Sequence, residues 1–235
     1  MCGRYASFRQ AQALADAFAV NDVTAAAAAV HPSFNVAPTH DVRIVLERAD
    51  TDGGPREMHA ARWGLVPHWA KDPSIGSRLI NARVETAGEK PSFAPSVRQR
   101  RCILPADGYY EWQRNSNGKS IPHFFHRRDA KPMALAGLFA FWRDPAKAED
   151  DPQRWVLTTT ILTRAARDDR SAIHPREPVV LGDHVTSWLD PELTEPEEAL
   201  ALLADDGPEL EFYRVSPEVG NVRNDHDGLI NPLAS

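Results

Sequence analysis

Cys2 stands directly after the initiator methionine, and once Met1 is removed it carries two nucleophiles on neighbouring carbons, an α-amine and a thiol. As unperturbed groups these titrate near pH ~8 and ~8.5, so a useful fraction of each is deprotonated at neutral pH. Together they make a 1,2-aminothiol. The amine condenses with an aldehyde to an imine, and the thiolate closes a five-membered thiazolidine ring on the same carbon. An interior cysteine offers no such pair, and a retained Met1 blocks the amine, so trimming is a condition of this chemistry. Position alone also fits an inert buried cysteine, and the other polar residues have to separate the two readings.

Further stretches carry residues suited to proton transfer or to anions. In Ile80-Asn81-Ala82-Arg83-Val84-Glu85-Thr86, an extended backbone projects Asn81 and Arg83 to the same side, so that an amide and a guanidinium face one site. Glu111 lies in Asp107-Gly108-Tyr109-Tyr110-Glu111-Trp112, bracketed by aromatic residues. Partial desolvation there raises its pKa towards neutrality, as a general acid or base needs; a surface carboxylate between edge aromatics is the alternative. His174 sits in Ile173-His174-Pro175-Arg176-Glu177-Pro178, stiffened by two prolines. Its ordinary pKa suits proton transfer at neutral pH, while a structural or solvent-exposed histidine is the plainer reading. Trp63 and Trp69 flank a Gly/Pro loop. Core packing accounts for a lone tryptophan, but Trp69, beside Lys71-Asp72-Pro73 at the loop margin, is placed to stack on a base. Arg98, Arg100 and Arg101 read either as a solvated helix face or as a phosphate clamp.

These residues need a frame to hold them. Ser7 is placed to cap a helix over Phe8 to Ala19, with Leu14 and Phe18 four apart on one face, and that helix would pack the N-terminus in place. Residues 24 to 35 form a poor segment, and the prolines of His31-Pro32 and Asn35-Val36-Ala37-Pro38-Thr39 imply a loop. Strands are expected over Val42 to Arg48 and Glu57 to Trp63, separated by a turn at Asp50 to Pro55. Asp107 to Trp112 reads as a turn and strand, and Ile121 to His126, Met133 to Trp142 and Arg154 to Leu162 as three more strands. Thr163 to Arg170 suggests a short helix, Val179 to Leu181 a strand, residues 184 to 189 and 195 to 204 short helices, and Glu211 to Val215 a closing strand. The tail from about Pro217 to Ser235 reads as irregular. No repeat or long linker interrupts, which implies one α+β domain over residues 1–235 with a mainly antiparallel sheet.

Composition sets outer limits. The 235 residues are 42% hydrophobic and 26% charged, enough for a large core. Cys2 and Cys102 are the only cysteines, which excludes a disulfide framework or a tetrathiolate zinc site and fits a reducing compartment. No run approaches the roughly 18 apolar residues of a membrane span, and Asp16 and Asp22 interrupt the alanine-rich beginning. The net charge of -6 argues against a uniformly basic nucleic-acid binder. It is unevenly spread, however: residues 1–143 hold 19 Lys+Arg against 13 Asp+Glu, and residues 144–235 hold 8 against 20. The first part can therefore offer a polyanion a local positive surface.

Taken together, Met1-Cys2-Gly3-Arg4-Tyr5, Asn35-Val36-Ala37-Pro38, Arg62-Trp63-Gly64-Leu65-Val66-Pro67, Asn81-Ala82-Arg83-Val84-Glu85-Thr86, the run Arg101 to Trp112 and Ile173-His174 resemble the SRAP family. These are the SOS-response-associated peptidase proteins that act at abasic sites. The resemblance runs from Cys2 to about Leu181, with a weaker echo in Val219 to Asp225. It implies an antiparallel, barrel-like core with flanking helices and a positively charged cleft for single-stranded DNA. It also implies capture of the C1′ aldehyde of an abasic deoxyribose as a thiazolidine DNA-protein crosslink that shields the lesion, with some lyase cleavage through the imine. By position, Cys2 would supply both nucleophiles, Glu111 would shuttle protons, Asn81 would orient the amine or sugar, and His174 would assist sugar opening and later release. Arg4, Arg83 and Arg176 would hold phosphates, and Trp69 resembles the aromatic wedge beside the lesion. Family members typically show His-Asp-Arg-Met-Pro where this chain has His174-Pro175-Arg176-Glu177-Pro178. Pro175 removes a backbone donor, and Glu177 adds a negative charge near a proposed phosphate contact.

Two other readings stand beside this one. A thiol peptidase or amidase would use Cys2 with His174 as base. A noncovalent single-strand binding module would depend on Arg83 and Trp69 and not on Cys2. The histidines lack the close Cys, His or carboxylate spacings of a metal site, so neither metal nor cofactor is expected. The expected partner is single-stranded DNA containing abasic sites rather than a membrane, and the expected form is a cytoplasmic monomer, nucleoid-associated in a bacterium.

Overall fold

The computed structural model describes residues 2–48 and 54–233, so most of the turn expected at Asp50 to Pro55 lies outside the described residues. Along the chain the strands are β1 (Tyr5–Ser7), β2 (Asp22–Val23), β3 (Ser33–Val36), β4 (Asp41–Leu46), β5 (Glu57–Trp63), β6 (Asn81–Arg83) and β7 (Arg101–Ala106). They continue with β8 (Gly108–Arg114), β9 (Ser120–Arg127), β10 (Met133–Arg143), β11 (Trp155–Ala165), β12 (Arg176–Pro178), β13 (Val180–Leu181) and β14 (Leu210–Arg214). The helices are short: α1 (Ala11–Ala17), α2 (Ala25–Ala29), α3 (Val84–Ala87), α4 (Ala94–Gln99), α5 (Val185–Leu189) and α6 (Pro196–Ala201). Among the described residues no helix is long and apolar enough to cross a membrane.

Two sheets form. The smaller runs β14-β9-β8-β1-β3, and the larger runs β12-β11-β10-β7-β4-β5-β2. In the larger sheet β5 also pairs in parallel with β11, with Arg62 opposite Thr158 and Trp63 opposite Thr159. That contact closes β11, β10, β7, β4 and β5 into a ring of five strands. The expected α+β architecture, mainly antiparallel and barrel-like, is the one observed.

Closure buries both faces of the ring strands. Side chains alternate along a strand, so Ile44, Cys102, Leu104, Leu135, Phe139 and Ile161 pack with Trp63 and, from the smaller sheet, with Tyr5, Tyr109 and Phe125. Their neighbours Val45, Ile103, Ala136, Leu138 and Leu162 pack with Leu14, Phe18, Val97 and Trp188 of the helices. This is why β10 reads as a continuous apolar run, as strands covered on both faces do. Each large side chain fully buried this way contributes about 1.5–3 kcal/mol.

Local signals gave way to tertiary pairing in several places. Ser7 caps no helix; it ends β1, its hydroxyl donates to the Pro105 carbonyl at 3.0 Å, and α1 starts at Ala11 without a side-chain cap. Pairing of β1 with β3 and β8 draws that backbone into the sheet. The segment read as poor holds α2, capped by the Thr24 hydroxyl, which accepts from the Ala27 amide at 3.2 Å, and alanine is the best helix former. Thr163 to Arg170 is not a helix: β11 continues to Ala165 because β6 and β12 pair along its two edges, and a 3-10 turn follows at Asp168–Ala172. The tail makes 3-10 turns at Pro217–Gly220 and Asp227–Ile230 that bury Val219 and Leu229.

Candidate active site

Cys2 lies just before β1 and is completely buried, in the cluster that also contains Trp63, Ile161 and Tyr109. Asn81, the first residue of β6, donates from Nδ2 to the Cys2 carbonyl at 2.8 Å. β6 is held from two sides: Asn81 pairs with Ile161 of β11, and the Trp63 indole donates to the Ile80 carbonyl at 2.9 Å. The other amide atom of Asn81, Oδ1, is buried without a partner among the described residues. Such an atom carries its full desolvation penalty. Burial first, and then the nearby Glu111 carboxylate, push the Cys2 thiol far above its ordinary value; a hydrogen bond from the Arg4 amide opposes them in part. Desolvation therefore works against the thiolate fraction that the sequence suggested.

Tyr5 pairs with Tyr109 and Ala6 with Gly108, so β1 and β8 lie side by side, and the two-residue period sends Glu111 to the same face as Tyr109. Glu111 is only 4% exposed, so it is no surface carboxylate. The bracketing Tyr110 and Trp112 point the other way, into the cluster with Phe124 and Val219. Burial raises the Glu111 pKa, opposed by nearby positive charge that includes His174. Glu111 Oε1 and His174 Nδ1 are 3.8 Å apart.

His174 follows the Asp168–Ala172 turn, and its amide donates to the Arg170 carbonyl at 3.2 Å. Its Nδ1 is 2.9 Å from the Arg176 carbonyl oxygen and 3.1 Å from the Arg176 amide nitrogen. The amide donates only to a bare Nδ1 and the carbonyl accepts only from a protonated one, so this turn accommodates both states of the ring. Pro175 spans the turn without needing the donor it lacks, and its carbonyl accepts from the Ala166 amide at 3.0 Å.

Around this centre the structure distributes the other candidates. Arg83 pairs with Thr163 and Arg176 with Ala165, which puts both on the face of β11 that carries Ile161, the partner of Asn81. Arg83 is exposed. Arg176 is forked onto Glu85, with Nη1 2.5 Å from Oε1 and Nη2 3.0 Å from Oε2. Arg4 donates from Nη1 to Asn35 Oδ1 at 2.9 Å and to the Val219 carbonyl at 3.0 Å, so it ties the N-terminus to the tail. Trp63 is core, whereas Trp69 is 49% exposed on the loop after β5. That loop is pinned. Gly64 has φ +130°, and a Cβ there would meet the Gly76 carbonyl oxygen at 2.6 Å. The Val66 amide donates to the Thr158 hydroxyl at 3.0 Å, and the Trp142 indole to the Ala70 carbonyl at 2.7 Å.

Two charged residues stand elsewhere than the sequence suggested. Glu177 follows Arg176 on β12, and alternation sends it to the opposite face, away from the expected phosphate side. It is 3% exposed and holds Arg164 Nε at 2.9 Å and Arg170 Nε at 2.8 Å. Because the Arg170 carbonyl receives the Ile173 and His174 amides, this buried clamp supports the histidine segment. Arg101 is no phosphate clamp either: it donates to the Val97, Trp188 and Asp190 carbonyls and lies 5.6 Å over the Trp188 ring. Sequence reasoning passed over Glu85, whose two-residue offset from Arg83 was the available signal. It also passed over Asn35 as an anchor and Trp142 as a loop support, for which no local signal exists.

Comparison with known proteins follows this geometry. The family model described as SOS response associated peptidase (SRAP) matches residues 1–222. The chain is 37% identical over 232 residues to the abasic site processing protein YoqW of Bacillus subtilis (strain 168), covering 98% of this chain and 99% of the relative. It is 33% identical over 230 residues to the abasic site processing protein HMCES of Gallus gallus, covering 86% of this chain and 66% of that one. A crystal structure of a Bacteroides thetaiotaomicron protein superposes with a TM-score of 0.82 at 21% identity, over 99% of this chain and 100% of that one, and shows the same fold.

Proposed function

The chain belongs to the SRAP family, and from that premise we propose that it captures the open-chain aldehyde of an abasic site in single-stranded DNA as a thiazolidine on Cys2. Its relatives are named as abasic site processing proteins, which supports a role in the repair of abasic DNA. The observation that carries the finer reading is the arrangement about residue 2: Asn81 grips the Cys2 carbonyl, with its own Oδ1 unpartnered among the described residues, and Glu111 is near enough for its charge to raise the thiol.

With Met1 removed, the Cys2 amine attacks the C1′ carbonyl while Asn81 Oδ1 accepts an amine hydrogen and aims the lone pair. Glu111, whose pKa burial raises, gives a proton to the carbinolamine hydroxyl, which leaves as water, and an iminium remains. The thiol then adds: the sulfur–C1′ bond forms, the C=N π pair returns to nitrogen, and the thiol proton goes to the Glu111 carboxylate. The net change is aldehyde plus aminothiol to thiazolidine plus water, with Glu111 restored. A desolvated thiol fits this order, since the amine acts first. His174, beside Glu111, takes and returns a proton in opening the closed sugar.

The test mixes Met1-trimmed protein with a single strand carrying one abasic site and separates the products on a denaturing gel. The expected result is a lesion-specific, denaturation-resistant band that is absent with Cys2→Ala and with intact DNA. No band from protein with a verified free Cys2 amine would sink the covalent reading.

A further inference from the structure

Arg176 offers its fork to a carboxylate of its own chain. Glu85, on the first turn of α3, meets Nη1 and Nη2 with separate oxygens, and Arg176 Nη2 also donates to the Thr163 carbonyl and, at 3.2 Å, to its hydroxyl. The Glu85 side chain is 51% exposed while that of Arg176 is 16% exposed, so the anion is the outer, reachable member of the pair. The Arg176 hydrogen bonds hold the Glu85 carboxyl below its usual range, with a further contribution from the charge of Arg83. A carboxylate bound through both oxygens sits where two oxygens of a phosphate would bind the same fork. Register sets Arg83 and Arg176 along one face of β11, beside the Asn81–Cys2 contact.

We propose that Glu85 is a specificity-determining residue, an internal competitor that occupies Arg176 until a DNA phosphate displaces it. This rests on the reading that the Arg83 and Arg176 face receives single-stranded DNA. Its consequence is discrimination. Glu85 keeps the Arg176 fork aligned but subtracts one phosphate contact from the affinity for any undamaged strand, so that retention depends on covalent capture at the lesion. Neutralising Glu85 therefore strengthens noncovalent binding of intact single strands, whereas neutralising a neighbouring acid that does not touch Arg176 leaves it unchanged.

The experiment measures fluorescence anisotropy of a labelled, undamaged oligothymidylate against salt for the full-length chain and for Glu85→Gln. Glu85→Ala serves as a second variant at a half-exposed helical position that accepts alanine readily. Glu89→Gln, exposed on the next turn, controls for net charge, and Glu85→Gln/Arg176→Gln tests whether the gain runs through Arg176. The expected result is tighter binding by both Glu85 variants, with a log–log salt slope steeper by about 0.7, no change for Glu89→Gln, and loss of the gain in the double variant. An unchanged slope in both Glu85 variants, a gain matched by Glu89→Gln, or a gain that survives loss of Arg176 overturns the competitor while leaving single-strand binding intact. No binding by any of these proteins overturns the DNA-facing reading and the competitor together.

Discussion

Glu111 and Glu177 are two carboxylates buried almost equally, 4% and 3% exposed, on strands that meet around His174. Their surroundings differ. Glu177 has a guanidinium on each oxygen, whereas Glu111 faces the Cys2 thiol and an imidazole 3.8 Å away. The difference teaches that burial does not mark a chemical residue; the charge met after burial does. A carboxylate that bridges two arginines serves as scaffold. One whose pKa burial raises, beside an imidazole, is suited to exchanging protons.

Substitutions can break this contrast or sharpen it. The largest expected effect is on rate: Glu111→Gln keeps shape and loses the proton, so crosslink formation slows by about 10²–10⁴-fold, read as band intensity against time, with the circular dichroism spectrum unchanged. Glu177→Ala should do the reverse. It removes the carboxylate that Arg164 and Arg170 share and lowers stability by about 3–5 kcal/mol, measured by urea unfolding. Equal rate losses at matched folded fractions in the two variants would erase the distinction.

A smaller effect sharpens it through pH. Because burial raises the folded-state pKa of Glu111, its contribution to stability is fully present below the unfolded carboxylate value of about 4.3 and is lost as pH rises through the folded value. Glu111→Gln should therefore gain stability over the unmodified chain as pH increases from about 4, in melts across that range. A gain that grows towards acid would contradict a raised Glu111 pKa. The smallest effect carries the division between scaffold and chemistry to the tryptophans. Trp142→Phe removes one hydrogen bond to the Trp69 loop, worth about 1 kcal/mol, and Trp69→Ala is expected to weaken single-strand binding by about 1–3 kcal/mol. Trp142→Phe should loosen binding only while Trp69 is present, which a double-mutant cycle reads.

Much of the ring was legible because its strands announce themselves: Met133 to Trp142 and Arg154 to Leu162 are apolar and β-branched enough to need a sheet. Its closure was not, since the parallel Arg62–Thr158 and Trp63–Thr159 pairs join positions almost a hundred residues apart with no local trace. The same long-range pairing extended β11 through residues whose polar character suggested a helix. At the site, Asn81 and Arg83 were legible from strand period, and Cys2, Glu111 and His174 from chemistry and family resemblance. Glu177 was misplaced because the face it takes is set by β12 pairing with β11, which puts it opposite Arg164. The thiol pKa of Cys2 depends on total burial, which no spacing reveals.

The central claim is that the residue 2 aminothiol, and no other nucleophile, takes the aldehyde. Its most direct test is peptide mapping by mass spectrometry of protein crosslinked to an abasic strand and then digested with nuclease and protease. The expected result is a sugar remnant on the N-terminal peptide beginning at Cys2, with Met1 absent and one water lost in the addition. A remnant on a lysine, or on a peptide that retains Met1, would contradict it.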